Sequence, residues 1–271
     1  MVLVAILMGT LTAGIGSVWL AALLGFGVLA RYTQHMLSLA AGALLATAFM
    51  HLMPEAFESQ SSAHDLFLTL LVGLVFFFLL DKFELWHHGH EHHHADPDHH
   101  HHAGHDHAGH TPGHGGHSHV PKPGSWAILT GDSVHCFGDG VLIASAFMAD
   151  LRLGVIASLA VLAHEIPHHM GDLMVLRTGS NSKRLAILKV SLAGAVTALG
   201  GLMGYWLVEQ LHDYLPFFLV VASSSFVYVA LADLIPQLQR RLSARETAAQ
   251  IAWLLVGIGL VTAVSGLAHA H

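Results

Sequence analysis

The chain has 271 residues, of which 54% are hydrophobic and 11% charged, with a mean hydropathy of +0.58. A soluble domain carries about 25% charged residues, so this composition excludes an ordinary soluble domain and predicts an all-α polytopic membrane protein. The formal net charge of −7 sits mostly in connections and says little about partners, and the single cysteine, Cys136, excludes a disulfide within the chain.

A bilayer core of ~30 Å takes about 20 apolar residues per helix. Eight segments qualify, at 2–29, 36–57, 66–86, 125–148, 153–176, 185–208, 216–237 and 247–268. The first is too long for a signal-peptide core and lacks a basic start, so it reads as a membrane span. The second contains HLMPEAFE, residues 51–58. The third leads into the one long connection.

That connection, 87–119, has 16 His among its 33 residues, interleaved with Asp, Glu, Gly and Pro. It is too polar to bury a core and is expected to be disordered without metal. A dense His tract binds zinc and similar ions weakly at several positions. The organisation expected is three spans in 1–86, a His-rich cytoplasmic loop in 87–124, and five spans in 125–271.

The fourth span contains HCFGDG, His135 to Gly140, with His135 near mid-membrane and Asp139 one helical turn further. Positions i and i+4 share a helix face, about 6 Å apart, so both side chains can reach one ion. The fifth span contains HEIPHHMGD, residues 164–172. Its i,i+4 pairs are His164 with His168, Glu165 with His169, and His168 with Asp172. Pro167 cannot donate to the carbonyl of Ala163, which predicts a kink beside these groups. A charge at mid-membrane costs at least ~2.5 kcal/mol on insertion scales. Several at equal depth on two helices call for water or a compensating cation, and nitrogen with carboxylate donors suits a divalent transition metal. The competing reading is a polar seam that holds the bundle together.

The sixth span carries Lys189, a turn and a half inside Arg184. The seventh contains VALADLIPQL with Asp233. Lys and Arg give the orientation. Arg31, Lys82, Lys122, Arg177, Lys183, Arg184, Arg240, Arg241 and Arg245 share one face, while the other has Arg152 among Glu55, Glu58, Asp65, Asp150, Glu209 and Asp213. Both termini are therefore expected outside the cytoplasm.

HCFGDG followed by HEIPHHMGD resembles the ZIP family of divalent-metal transporters, in the branch with a His-rich loop between spans 3 and 4, whose motifs read HNFxDG and HEIPHExGD. The loop position and the eight spans agree, so the resemblance covers the whole chain. It implies movement of zinc, and also iron, manganese or cadmium, into the cytoplasm through a centre between spans 4 and 5. By resemblance His135, Asp139, Glu165 and His168 are the primary metal ligands, with His164 and His169 at a neighbouring position or on the path. HLMPEA resembles the family's HLxPEA and makes His51 and Glu55 path candidates; VALADLIPQ resembles VALxDMxPE and adds Asp233.

Three departures bear on a second metal position. Cys136 replaces the usual Asn, as a soft ligand or a small packing residue. His169 replaces the usual Glu. Lys189 stands where relatives offer a neutral or acidic side chain, so its ammonium either takes the place of a second cation or snorkels to the interface.

The expected function is transport of a divalent cation, most of all zinc, in a bacterial inner membrane. No catalytic residues and no resident cofactor are expected. The partners expected are metal ions and lipid, with no nucleic acid, and the chain itself in a homodimer. Two alternatives belong to other classes. His164-Glu165-Ile166-Pro167-His168 matches the H-E-x-x-H of zinc hydrolases literally, although Pro167 suits a regular ligand helix poorly and span 4 has no role in that scheme. A metal sensor that does not transport is the other.

Overall fold

The computed structural model describes residues 1–25, 33–89, 125–179, 182–238 and 243–269. Arg31, Lys122, Arg240, Arg241 and His-tract residues 90–119 lie outside them. Among the described residues all regular structure is helical. In chain order the elements are α1 (Val2–Leu11), a π-helical turn (Thr12–Gly16), α2 (Ser17–Gly25), α3 (Thr33–Thr47), a second π turn (Ala48–Leu52) and α4 (Met53–Phe57). Then follow α5 (Ala63–Gly89), α6 (Ser125–Ala149), α7 (Leu151–Gly179), α8 (Lys183–Gln210) and α9 (Leu215–Tyr228). A third π turn (Val229–Leu234), α10 (Ile235–Leu238) and α11 (Ala244–His269) complete the order.

Six stretches are long and apolar enough to cross a membrane: Val2–Leu24, Gln34–Phe57, Ala63–Leu80, Lys183–Gln210, His212–Ala232 and Ala244–Ser265. The remaining two segments expected from the sequence are α6 and α7, 25 and 29 residues long. They have the length, but they carry the polar residues of the two motifs.

Apolar side chains face outward and polar ones inward, the reverse of a water-soluble bundle. Leu68, Leu71, Val72, Val75, Phe76 and Leu79 on α5 are exposed, as are Ile251, Leu255, Val256 and Leu260 on α11. Asp132, Asp139, His164, Glu165 and His169 are buried. In the apolar windows of α5 and α11 only 11% of residues are buried, against 67% for Gln34–Phe57. So α5 and α11 form the lipid-facing flanks, and α3 runs through the interior. The chain is an integral membrane protein.

Small residues let the inner helices touch backbone to backbone, as membrane packing favours. A Cβ on Gly140 of α6 would run into the carbonyl of Thr197 on α8, and one on Gly200 of α8 into the carbonyl of Phe137. Gly14 in the first π turn meets Gly194 of α8 in the same way. These contacts hold α6, α8 and the N-terminal helix at a fixed spacing around the motif residues.

Helix starts are capped where the sequence supplies hydroxyls or carboxylates. Ser182 accepts from Leu185 N at the start of α8. Ser243 and Glu246 form a reciprocal capping box at α11, with Ser243 N and Oγ donating to Glu246 Oε2 at 2.8 and 2.7 Å.

Candidate metal centre

A single residue separates α6 from α7. Asp150 makes the reversal possible by accepting from Arg152 N at 2.8 Å and from Leu153 N at 3.4 Å, which satisfies free donors at the α7 N-terminus. Two helices folded back on one point bring equal sequence offsets to equal depth. His135 stands fifteen residues before Asp150 and Glu165 fifteen after it, about 22 Å from the turn at 1.5 Å per residue. α7 runs unbroken through Pro167.

Four donors meet there: His135, Asp139, His164 and Glu165. His135 Nε2 is 3.3 Å from Glu165 Oε1 and 3.8 Å from Asp139 Oδ2. His164 Nε2 is 3.2 Å from Asp139 Oδ2 and 3.3 Å from Glu165 Oε1. The two Nε2 atoms are 3.3 Å apart. A tetrahedron with metal–ligand bonds of 2.0–2.1 Å has edges of about 3.3–3.4 Å, so these separations match one shared zinc-like ion. Asp139 Oδ2 and Glu165 Oε1 are buried without a hydrogen-bond partner. His164 Nδ1 lies 3.4 Å from the Ala160 carbonyl. If it donates there, the Nε2 lone pair is turned to the carboxylates.

A second group contains Asp132, Cys136, Glu165 and His169, all buried. His169 Nε2 is 3.1 Å from Glu165 Oε2 and 3.5 Å from Asp132 Oδ1. Cys136 Sγ lies 3.7 Å from Asp132 Oδ1. Behind the imidazole, Ser17 Oγ donates to the Gly14 carbonyl at 2.6 Å, which leaves it an acceptor for His169 Nδ1–H at 2.9 Å. In a neutral imidazole that arrangement leaves the Nε2 lone pair facing two carboxylates.

A third group contains Asp132, His168 and Asp172. His168 Nδ1 is 4.0 Å from Asp172 Oδ2. The His168 ring also stacks on His135, centroids 5.4 Å apart. His135 and His168 keep 27% and 37% side-chain exposure, whereas Asp139, His164, Glu165 and His169 keep 3% or less. The accessible edge of the centre therefore passes these two rings.

The residues expected from the motifs thus divide among three adjoining groups. His135, Asp139 and Glu165 come together with His164, and His168 falls beside them with Asp172. Cys136 and His169 come together with each other. His51, half-buried in the second π turn, and Glu55, exposed in α4, belong to none of these groups. Lys189 is half-buried on α8, and the backbone at Asp233 lies in the third π turn. Asp132 and Ser17 went unread in the sequence. Asp132 had a signal: it stands three, four and seven residues before His135, Cys136 and Asp139, one helical stripe. Ser17 had none, because its partner is 152 residues away.

A family model described as ZIP Zinc transporter matches residues 1–265. Zinc transporter ZIP4 of Homo sapiens is 31% identical over 287 residues, covering 87% of this chain and 42% of its own length. Zinc transporter ZIP10 of Homo sapiens is 32% identical over 162 residues, covering 58% of this chain and 18% of its own. Zinc transporter foi of Drosophila melanogaster is 32% identical over 142 residues, covering 52% and 20%. The chain spans less than half the length of these relatives. With a family model matching nearly its full length, the chain belongs to the ZIP family.

Proposed function

We propose that the chain carries divalent transition metal ions, zinc first among them, across a membrane through the centre between α6 and α7. The observation that carries this reading is the set of 3.2–3.8 Å separations among His135, Asp139, His164 and Glu165. Two carboxylates with two neutral imidazoles balance one divalent cation. The loaded centre is then electrically neutral, which removes most of the cost of holding charge in a low dielectric. His168 stacks on His135 at the accessible edge and completes the ligand shell as the ion enters or leaves.

On this reading α6 and α7 cross the membrane with the six apolar stretches, giving eight spans: three in 1–86, five in 125–271, and the His-rich connection 87–124 between them on the cytoplasmic side. Both termini are extracytoplasmic, as the Lys and Arg distribution supports. His51, Glu55 and Asp233 line the approach. The metal is cargo, and no further cofactor is required. Cadmium, iron and manganese are further candidate cargoes, since mixed His and carboxylate donors accept all of them. The H-E-x-x-H hydrolase reading finds no support in this geometry. Glu165, which would have to be a free general base, sits among the ligands, and His168 does not join His164 in one group.

Uptake into proteoliposomes tests the proposal, with zinc, cadmium, iron and manganese in competition under defined gradients. Zinc accumulation that is lost in Asp139→Ala and Glu165→Ala supports it. Near-wild-type uptake by both variants removes the assignment. Tight binding without accumulation favours a sensor.

A further inference from the structure

On α7 the residues Ile156, Leu159, Ala160, Ala163 and Ile166 recur at helical spacing and form one apolar stripe. Glu165 is two positions past Ala163, about 200° round the helix, so the stripe lies on the side of α7 away from that ligand. The two alanines in its middle make it concave. Across from it stand α3 and α11, which touch backbone to backbone. A Cβ on Gly42 would run into the Leu254 carbonyl, and one on Gly257 into the Leu39 carbonyl. The pair forms one wall and α7 the other.

Two cavities lie between these walls. One, of about 470 Å³, is bounded by His35, Leu162, Ile166 and Trp253. The other, of about 250 Å³, is bounded by Ala43, Ile156, Leu260 and Val264. Leu39, Leu159 and Ala163 border both, so the two make a single groove. We propose that this groove holds an acyl chain of a membrane phospholipid. The proposal rests on the membrane location of the chain and is independent of the transport reading.

Four observations converge on that occupant. The lining is apolar apart from His35, and a cavity of that kind does not take water. Leu159, Trp253 and Leu260 are exposed at the rim, so the groove is continuous with the lipid-facing flank of α11 and opens to hydrocarbon. Its length fits. Ile156 to Ile166 is ten residues and Trp253 to Val264 eleven, about 15 and 16 Å at 1.5 Å per residue. Half of a ~30 Å hydrocarbon core, the depth spanned by one leaflet's chains, is about 15 Å. Finally, the groove has one polar end. His35 stacks on Trp253 with ring centroids 5.8 Å apart, and ring N–H groups of this kind suit the headgroup level.

A tail leaving the bilayer for the groove gains no hydrophobic energy, because the surrounding tails are as apolar as leucine. What the groove adds is contact on three sides instead of one, and so more dispersion attraction. Shape therefore selects the occupant. Ala163 and Ile166 flank His164 and Glu165 in sequence, so the bound chain supports α7 from behind at the level of the metal centre.

The test reconstitutes the full chain in phosphatidylcholine vesicles that contain a small share of phosphatidylcholine with a diazirine at mid-chain. Irradiation is followed by peptide mass spectrometry. Adducts are expected at Leu39, Leu159 and Ala163, enriched about tenfold over the open face Leu68 to Leu79 of α5. Leu159→Trp, which places a ring in the path of the tail, should abolish the enrichment and leave the labelling of α5 unchanged. Equal labelling of groove and α5, or enrichment that persists in a folded Leu159→Trp protein, overturns the proposal. So does absence of lipid adducts in the groove while a photoreactive residue at position 159 joins two copies of the chain, which would make the occupant a protein. If Leu159→Trp does not fold, the wild-type comparison with α5 decides by itself.

Discussion

Replacing Glu165 by Gln separates a metal centre from a polar seam that merely holds helices together. The side chain keeps its size, but one negative charge disappears from a position within 3.3 Å of three imidazoles. A centre holding a divalent ion would then be left with one carboxylate in its first group and an uncompensated positive charge. Leaving a buried charge without its partner costs about 3–5 kcal/mol, and at 1.4 kcal/mol per decade the affinity falls at least ~100-fold.

Linkage turns this into a stability measurement. Zinc at 100 times the wild-type Kd stabilises the folded protein by about 2.7 kcal/mol. At the same free zinc, a variant 100-fold weaker gains only about 0.4 kcal/mol. Thermal unfolding of wild type and Glu165→Gln in detergent, with and without zinc, gives both quantities. The expected outcome is a metal-induced rise in Tm that almost vanishes in the variant, with uptake at low zinc falling by two orders of magnitude. The refuting outcome has the opposite pattern: a large drop in Tm without metal, and an undiminished rise when zinc is added. Glu165 would then be part of a structural seam.

Deleting residues 87–119 is expected to leave zinc uptake within about twofold of wild type, because the ligands of the centre lie on α6 and α7; a folded, membrane-inserted deletion protein that transports nothing would make the tract part of the pathway. Metal affinity is expected to fall as pH is lowered, since His135 and His164 bind only when neutral; once both imidazoles are protonated in the metal-free protein the loss approaches about a hundredfold per pH unit, and calorimetric titration at several pH values reads it. Gly140→Val is expected to destabilise the bundle by about 1–3 kcal/mol through overpacking against the Thr197 carbonyl, and to weaken zinc binding because α6 carries His135 and Asp139; thermal unfolding and a zinc titration check both effects.

How much of this was legible in the sequence depended on the range of the interaction involved. Helices and their order were readable because lipid leaves a long apolar run few alternatives. The equal depth of His135 and His164 was readable because α6 and α7 are consecutive, with a reversal at Asp150. The division of the donors among three groups was not. Glu165 and His168 are three residues apart on α7, yet they fall in different groups, because a helix turns about 300° in three residues and the facing residues of α6 decide which side each meets. The sequence showed Cys136 as a departure from the family motif, but a departure has no chemistry until its neighbours are known. In the structure the thiol falls in one buried group with Asp132, Glu165 and His169. His169 in turn owes its orientation to Ser17, brought in from α2 by the close contact of Gly14 with Gly194. Long-range packing set that contact, so a reading by local spacing could find Cys136 and His169 and still miss how the second group is held together.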